Sequence, residues 1–463
     1  MHDPLDVHDL VSDELRQLGE TGHDISAPAA RLAGMDPHDR EALESLFAGL
    51  ADLPRTGTWD YEEPSALHDI LDSMPATSHP TRTTRGAGLH DRILGGWLGR
   101  IAGCNLGKPI ENGDYWTTGR IRSYLELTDS YPLRDYVPAM DPMPDGYRLV
   151  ENWVNTTRGR VRGSDRDDDI DYSILGLHLL ERHGAGLTAA DVAAAWLAYI
   201  PYLRVYTAER AAYVNLLRNV PVDSVGDTRN PYREWIGALI RGDAHGWVRP
   251  GRPEQAVLTA YGDATLSHRA NGIYGEMWSA ALLSCAATAT TVAEAFEQSL
   301  DYVPARSRLA EALRLVRGLH REGTSWDDAL QDIQHRYGHY SWVHTVNNAA
   351  IIAAGLLWGD GDYAATVGLT VQGGWDTDSN GATAGAVAGT VLGAAALPGH
   401  FVEPLQDRTR SAVFGYDNSR ISDLADRTVA LALRMPDAHA YSEQPAAPAG
   451  APPGSGTMGV SPC

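Results

Sequence analysis

The sequence predicts an all-α fold, and three observations carry that reading. Between about residues 90 and 435, apolar positions recur at helical spacing, while strand-like alternation is scarce. Helix starts are marked by capping residues and proline, as at Asp36-Pro37. Two segments carry glycine at every fourth position: Gly95, Gly99, Gly103 and Gly107 in one, and Gly381, Gly385, Gly389 and Gly393 in the other. That spacing lines the glycines along one helix face, at a cost of about 1 kcal/mol each against alanine in a helix interior. A glycine ridge admits a second backbone at short distance. Two ridges in one chain predict that their helices pack on each other.

Residues 1–85 are acidic and broken by proline and glycine. They read as an N-terminal helical extension, with patterns at 5–18 and 37–52, the latter placing Leu43, Leu46, Phe47 and Leu50 on one face. Residues 78–89 are linker-like. The main domain, 86–438, offers helices at 90–107, 169–183, 188–200, 206–219, 271–289, 291–299, 305–320, 325–335, 343–358, 361–371 and 380–396. Residues 112–166, with Pro132, Pro138, Pro142 and Pro144, read as a loop-rich segment suited to a lid. Residues 439–463, rich in Pro, Ala, Gly and Ser, are expected to be disordered.

A chain of 463 residues holds one large domain or two ordinary ones. Its net charge of −22 argues against nucleic acid or an anionic membrane as the main partner. The 380–396 helix is too short and too rich in Ala, Gly and Thr for a membrane span. Cys104, Cys285 and Cys463 are widely spaced and odd in number, which suggests neither a disulfide framework nor a zinc site. The acidic N-terminus lacks the apolar stretch of a signal peptide, so a cytoplasmic location is expected. Lys108 is the only lysine.

Chemistry gathers in four stretches. In GGWDTDSNGATAGAVAGTVLG, residues 373–393, Asp376, Asp378 and Ser379 stand at the mouth of the second glycine helix. Capping that helix needs one carboxylate or hydroxyl. A second buried carboxylate is costly unless paired, and a hard cation with oxygen ligands offsets that cost. Taken alone, the stretch reads more readily as a capped loop with solvated acids. In GSDRDDDIDYSILGLHLL, residues 163–180, Asp167, Asp168 and Asp169 precede an apolar helix. Acids are favourable at a helix N-terminus, so this too is a solvated turn by itself. Paired with the first stretch it becomes a possible binuclear site. In DATLSHRANGIYGEMWSAALL, residues 263–283, Ser267-His268 precedes a helix with Asn271, Tyr274 and Glu276, and His344, Asn347 and Asn348 begin another helix. A lone histidine is usually structural. In GGWLGRIAGCNLGKPIE, residues 95–111, packing of the two ridges would bring Lys108 and Glu111 toward Asp376.

Over about residues 90–435 these motifs resemble the ADP-ribosylglycohydrolase family. GRIAGCNLGKPIE is similar to its G-x-x-x-G-D-x-x-G-x-x-x-E helix, Asp167 to Tyr172 to its T-D-D-T-x-M motif, Ser267-His268 to its T-H motif, and GGWDTDSNGATAG to G-G-D-T-D-T-I-G-A-I-A-G. The order and spacing of all four agree. The resemblance implies a compact orthogonal helical bundle with two Mg²⁺ or Mn²⁺ ions at its centre. It implies Asp167, Asp168, Asp169, Asp376, Asp378 and Ser379 as ligands, with Glu111 beside them. The implied reaction is hydrolysis of the bond from the anomeric carbon of ADP-ribose to arginine, serine or another acceptor. Departures are Cys104 for Asp, Asp167 for Thr, Ile170 for Thr, Trp375 inside G-G-D, and IRGDAHGW (residues 240–247) for N-G-x-x-M-R.

Cleaving a ribosyl C–N bond passes through an oxocarbenium-like transition state, which carboxylates stabilise while one of them activates water. In this reading Glu111 is the general base, Asp378 bridges two ions that orient the ribose, and Glu276 is the reserve base. Lys108 or Arg241 meets a phosphate, and Ser267, His268, Asn271, His344 and Asn347 are further substrate-binding candidates. Three function classes stay open: a metal-dependent hydrolase of an N-ribosyl bond, a catalytically silent ADP-ribose or nucleotide binder, and a crystallin-like structural protein. Within the first, the substrate is a small riboside or NAD-derived metabolite, or an ADP-ribosylated protein. The extension and the 112–166 segment, as roofs over a cleft, tilt the reading toward the small molecule.

Overall fold

Two helices that only glycine allows to meet occupy the centre of the protein. The computed structural model describes residues 6–77, 87–150 and 153–435. The extension holds α1 (Val7–Glu20), α2 (Ser26–Ala33), α3 (Arg40–Leu50) and α4 (Leu67–Ser73). The main body continues with α5 (Ala87–Gly107), α6 (Thr118–Leu127), α7 (Asp168–His183), α8 (Ala189–Tyr199), α9 (Thr207–Leu217), α10 (Val222–Val225), α11 (Gly242–Trp247), α12 (Pro253–Ala264) and α13 (Asn271–Ala286). It closes with α14 (Val292–Ser299), α15 (Arg308–Arg321), α16 (Trp326–Tyr337), α17 (Thr345–Trp358), α18 (Tyr363–Gln372), α19 (Thr377–Leu392), α20 (Gly399–Val402) and α21 (Ile421–Arg434). Among the described residues the only sheet is a two-stranded antiparallel ribbon of β1 (Arg408–Thr409) and β2 (Ser419–Arg420). The fold is all-α, and no described helix is long and apolar enough to cross a membrane.

α5 and α19 run antiparallel with their ridges in register. A Cβ placed on Gly95, Gly99 or Gly103 would fall onto the carbonyl oxygen of Gly389, Gly385 or Gly381, and one on Gly107 onto that of Thr377. The reverse holds from α19 toward α5. α19 is buried from Thr377 to Val391. It tolerates this because it carries no charge beyond Asp378 and its hydroxyls, Thr383 excepted, find partners. Thr390 donates to the Ala386 carbonyl at 2.7 Å and accepts from Trp247 Nε1 at 3.0 Å. The Tyr363 hydroxyl donates to the Gly99 carbonyl at 2.8 Å. α13 is buried along its whole length and α17 from Thr345 to Leu357, and both pack against α19.

The extension has a small apolar cluster of its own, with Val11, Leu15, Leu43, Leu46 and Leu50. Charged side chains dock it on the main body. Arg308 bonds Glu63 at 2.9 Å and also Glu234, while Gln17 Nε2 donates to Glu234 at 2.8 Å. Asn271 Nδ2 donates to Glu63 at 2.7 Å and to Glu234 at 2.9 Å. Arg233 grips Glu14 with two bonds of 2.9 Å. Charges this deep persist only when paired and hydrogen-bonded.

The structure adds α2, α4, α6, α12 and α21 to the expected helices, with the short α10, α11 and α20. α6 lies inside the segment read as loop, where surrounding prolines mask ten residues whose Ile121, Tyr124 and Leu125 face inward. α21 shows helical spacing at Ile421, Leu424, Ala425, Thr428 and Leu431, a signal present in the sequence and overlooked. α19 begins at Thr377 and stops at Leu392 because Gly393 turns to φ +83°. The tail expected to be disordered lies outside the described residues, as does most of the linker-like 78–89 stretch.

Gly385→Ala should destabilise the protein by at least about 1–3 kcal/mol, since the added carbon forces two backbones apart, and Gly385→Leu should not fold normally. Gly318→Ala, in α15 with open space at its Cβ, should stabilise by up to about 1 kcal/mol. Urea denaturation of the two alanine variants checks the contrast; equal effects would refute the ridge contact.

Candidate functional site

The antiparallel pairing carries the C-terminal end of α5 to the N-terminus of α19, where the Thr377 hydroxyl donates to the Gly107 carbonyl at 3.0 Å. The N-terminus of α7 joins them, with Ser379 Oγ donating to Asp169 Oδ2 at 3.1 Å. Two helix N-termini favour negative charge, and a helix C-terminus favours a cation. The residues match this: acids begin α7 and α19, and Lys108 follows α5.

Local backbone geometry frees the carboxylates. Gly374 at φ +77° and Trp375 at φ +60° turn the chain so that Asp376 stands at the cap position of α19. Its carboxylate caps nothing there. Instead Asn348 Oδ1 accepts the Asp376 N–H at 3.2 Å and the Asn380 amide at 2.7 Å. Asp167 does cap α7, accepting the Asp169 N–H at 3.0 Å. Two groups of donor atoms result, each with its members within 4.8 Å of one another: Cys104, Asp167, Asp169 and Asp378, and Glu111, Asp376 and Asp378. Asp378 belongs to both. Asp168 lies outside both groups but lines the adjoining cavity, as does Ser379.

Burial, and after it crowding, sets the electrostatics. Burial and then Asp378 push Glu111 up to about 8. Burial and then Asp167 push Asp168 up to about 7. Asp169 is raised well above the carboxylate range by burial and Asp167, and Asp376 by burial and Asp378. Asp167 goes the other way: burial works against it, yet the Lys108 ammonium holds its carboxyl low. Burial works against the Lys108 charge too, but Asp167, Glu111 and Asp378 keep it firmly protonated. Arg100, fully buried, bonds the Asp169 backbone carbonyl at 2.8 Å and pairs with Asp243 at 2.8 Å. Among the described residues Asp376 has no ion-pair partner. Unpaired, buried, hard oxygen donors in this number fit Mg²⁺ or Mn²⁺.

The cluster opens into a cavity of about 1070 Å³. Glu111, Asp168, Asp169, Asp376, Asp378 and Ser379 line it at the cluster. Tyr206, Tyr232, Trp235, Tyr340 and Trp342 give it aromatic walls. The extension contributes Asp13, Arg16, Glu20 and Ile25, and the 112–166 segment contributes Asn112, Asp114 and Val150.

Other expected site residues lie elsewhere. Arg241 is 1% exposed and held by Glu209 at 2.7 Å, Asp263 at 2.6 Å and Glu276 at 3.3 Å, so it cannot reach a phosphate. The same network buries Glu276 away from the cavity and rules it out as a reserve base there. Arg241 also fills the space between Asp263, Glu276 and His245, a third clustered group. Ser267 Oγ pairs with His268 Nδ1 at 2.8 Å, both fully buried. Asn271 is spent on docking the extension. His344 caps α17 through the Val346 N–H at 3.2 Å and stacks on Tyr340, and Asn347 donates to the Ser341 carbonyl at 3.1 Å. None of these lines the cavity. Each is a polar group buried inside the bundle, and His268 Nε2, His344 Nε2, Asn347 Oδ1 and both Glu276 carboxylate oxygens have no hydrogen-bond partner there. Lys108 lies within the carboxylates, not free for a phosphate. Asn348, which begins the same helix as His344 and Asn347 but is not among the expected site residues, supports the Asp376 turn, and no motif marks the cavity's aromatic residues or Glu209.

A sequence model of the family described as ADP-ribosylglycohydrolase matches residues 85–438. A solved structure described as an ADP-ribosylglycohydrolase-related protein complex is similar at 18% identity, over 74% of this chain and 98% of its own, with a TM-score of 0.43. No curated protein gives a significant match.

The raised acids make stability depend on pH. Glu111 sits near 4.5 in the unfolded chain and about 8 in the metal-free fold. Its stabilising contribution is therefore present below the lower value and lost as pH rises through the upper one, and Asp168, Asp169 and Asp376 share the sign. The rise in melting temperature on adding Mn²⁺ to chelator-treated protein should grow from about pH 5 to about pH 8. Thermal melts across that range check this, and a pH-independent rise would contradict it.

Proposed function

The chain belongs to the ADP-ribosylglycohydrolase family, a family of hydrolases, and on that premise we propose that it is a metal-dependent hydrolase of the C–N bond between an (ADP-)ribose and a small leaving group. The observation that carries this reading is the carboxylate cluster at the cavity, with Asp376 buried and without a cationic partner among the described residues. Glu111, Asp376 and Asp378, with the Asp167 and Asp169 group adjoining, are the residues to hold Mg²⁺ or Mn²⁺. A divalent ion bound there supplies positive charge against the ribose hydroxyls and the developing charge of the reaction.

The chain's own groups do the rest. The Glu111 side chain is 28% exposed and faces the cavity, so water reaches it. Its carboxylate accepts the proton of the attacking water, and the neighbouring ammonium and a bound cation favour the charged form a base needs. Asp378 belongs to both donor groups and ties the two cation positions together. Asp168 and Asp169 line the same cavity, and a bound cation would favour the ionised forms that stabilise a developing oxocarbenium. Aromatic walls exclude water from the rest of the cavity and offer faces for an apolar or ring-bearing leaving group.

Residues of the extension support a small substrate. Asp13, Arg16, Glu20 and Ile25 line the same cavity as the acid cluster, so the extension narrows the space a protein-borne ADP-ribose would need. A hydrolysis screen with Mg²⁺ or Mn²⁺ over NAD, simple ribosides, ADP-ribosyl-arginine and ADP-ribosyl-serine tests the reading. Release of ribose or ADP-ribose is expected from the small substrates. Binding without release would identify a silent binder instead. On the substrate so found, Glu111→Gln assayed at saturating metal should bind product nearly as wild type yet lose about 10²–10⁴-fold in turnover. Turnover within a few-fold of wild type would leave Glu111 a mere partner of Lys108.

A further inference from the structure

Lys108 is the only lysine of the chain, and its ammonium lies inside the acid cluster. The side chain is 14% exposed. Nζ bonds Asp167 Oδ2, lies 3.2 Å from Asp378 Oδ2 and 3.5 Å from Glu111 Oε2. These three carboxylates come from three places in the chain: the cap of α7, the first turn of α19 and the residue after the short turn that follows α5. An ammonium has three donors and no acceptor, and here each donor faces a carboxylate.

The two donor groups are thereby unequal. In the group of Cys104, Asp167, Asp169 and Asp378, Asp167 is taken by Lys108 and by the Asp169 N–H. Asp169 meets Ser379 Oγ at 3.1 Å and lies 3.4 Å from the Arg100 guanidinium. Cys104 is a buried thiol, a poor donor for a hard cation. In the group of Glu111, Asp376 and Asp378, Asp376 is 6% exposed and has no cationic partner among the described residues. Every carboxylate of the first group meets a cationic side chain, whereas in the second Asp376 meets none among the described residues, although Lys108 also stands 3.2 Å from Asp378 and 3.5 Å from Glu111.

We propose that Lys108 is a built-in cation that fills one of the two cation positions of the cluster, so that the protein takes up a single divalent ion, held by Glu111, Asp376 and Asp378. The inference rests on the reading of the cluster as a divalent-cation site. A compact ammonium is a point charge on a flexible stem, suited to a position between carboxylates. Unlike a metal ion, it cannot be removed by a chelator.

Metal analysis after equilibrium dialysis of the full chain against Mn²⁺ tests this, with the electron paramagnetic resonance of the loaded protein as a second readout. Wild type should bind one equivalent and show isolated Mn²⁺. Lys108→Met, similar in length and uncharged, should bind a second equivalent and show spin coupling through the shared Asp378. Two equivalents on wild type would overturn the inference and leave the hydrolase reading standing. One equivalent on both proteins would overturn it as well. No binding by wild type, with turnover unaffected by chelator, would remove the cation site and the inference together. If Lys108→Met does not fold, the wild-type stoichiometry alone decides.

Discussion

The contact between the glycine faces of α5 and α19 is the constraint from which the rest of the structure follows. Gly95, Gly99, Gly103 and Gly107 lie against the carbonyls of Gly389, Gly385, Gly381 and Thr377. No side chain fits between them. Because the helices are antiparallel, this register sets Lys108 and Glu111 opposite Asp376 and Asp378. A shift of one helical turn, about 5.4 Å, would separate the two pairs. Helix propensity is given up at each glycine, and what it secures is the alignment of a charged site at the ends of two helices.

That site concentrates more negative charge than the fold can neutralise alone. Arg100 attends to Asp169 and Asp243, and Arg166 to Asp171, which Ser411 and the Ala412 N–H also hold. Lys108 attends to Asp167 and Asp378. The helix N-termini of α7 and α19 contribute partial positive charge. Glu111 has only Lys108 at 3.5 Å and Asp376 has no cationic partner among the described residues, and both are pushed upward by burial and by Asp378. An imbalance of this kind, beside a cavity, is the physical mark of a place that takes a cation.

A second charged network does purely architectural work. Glu234, Arg308, Glu63, Gln17 and Asn271 join the extension to the main body. Arg308 and His344 hold Glu234 ionised against its burial, down to about 2. The consequence reaches the cavity, because α1, once docked, presents Asp13, Arg16 and Glu20 to it. Residues outside the span matched by the family model thus shape the space in front of the acids.

The sequence by itself determined the helical class, the pairing of the two glycine helices and the meeting of Glu111 with Asp376 and Asp378. Each follows from a local rule: spacing along a helix, the room left by a missing side chain, or the end of a helix at which a residue sits. Only the tertiary structure decided which polar residues face the cavity. Ser267, His268, Asn271, Glu276, His344 and Asn347 carry the same chemistry as site residues, yet all point into the bundle. Arg241 is locked among Glu209, Asp263 and Glu276. Asn348, one residue from Asn347, supports the Asp376 turn. A helix presents its neighbouring positions about 100° apart, so the function of each depends on which partner helix it meets. That is set by long-range packing, which short-range spacing does not encode.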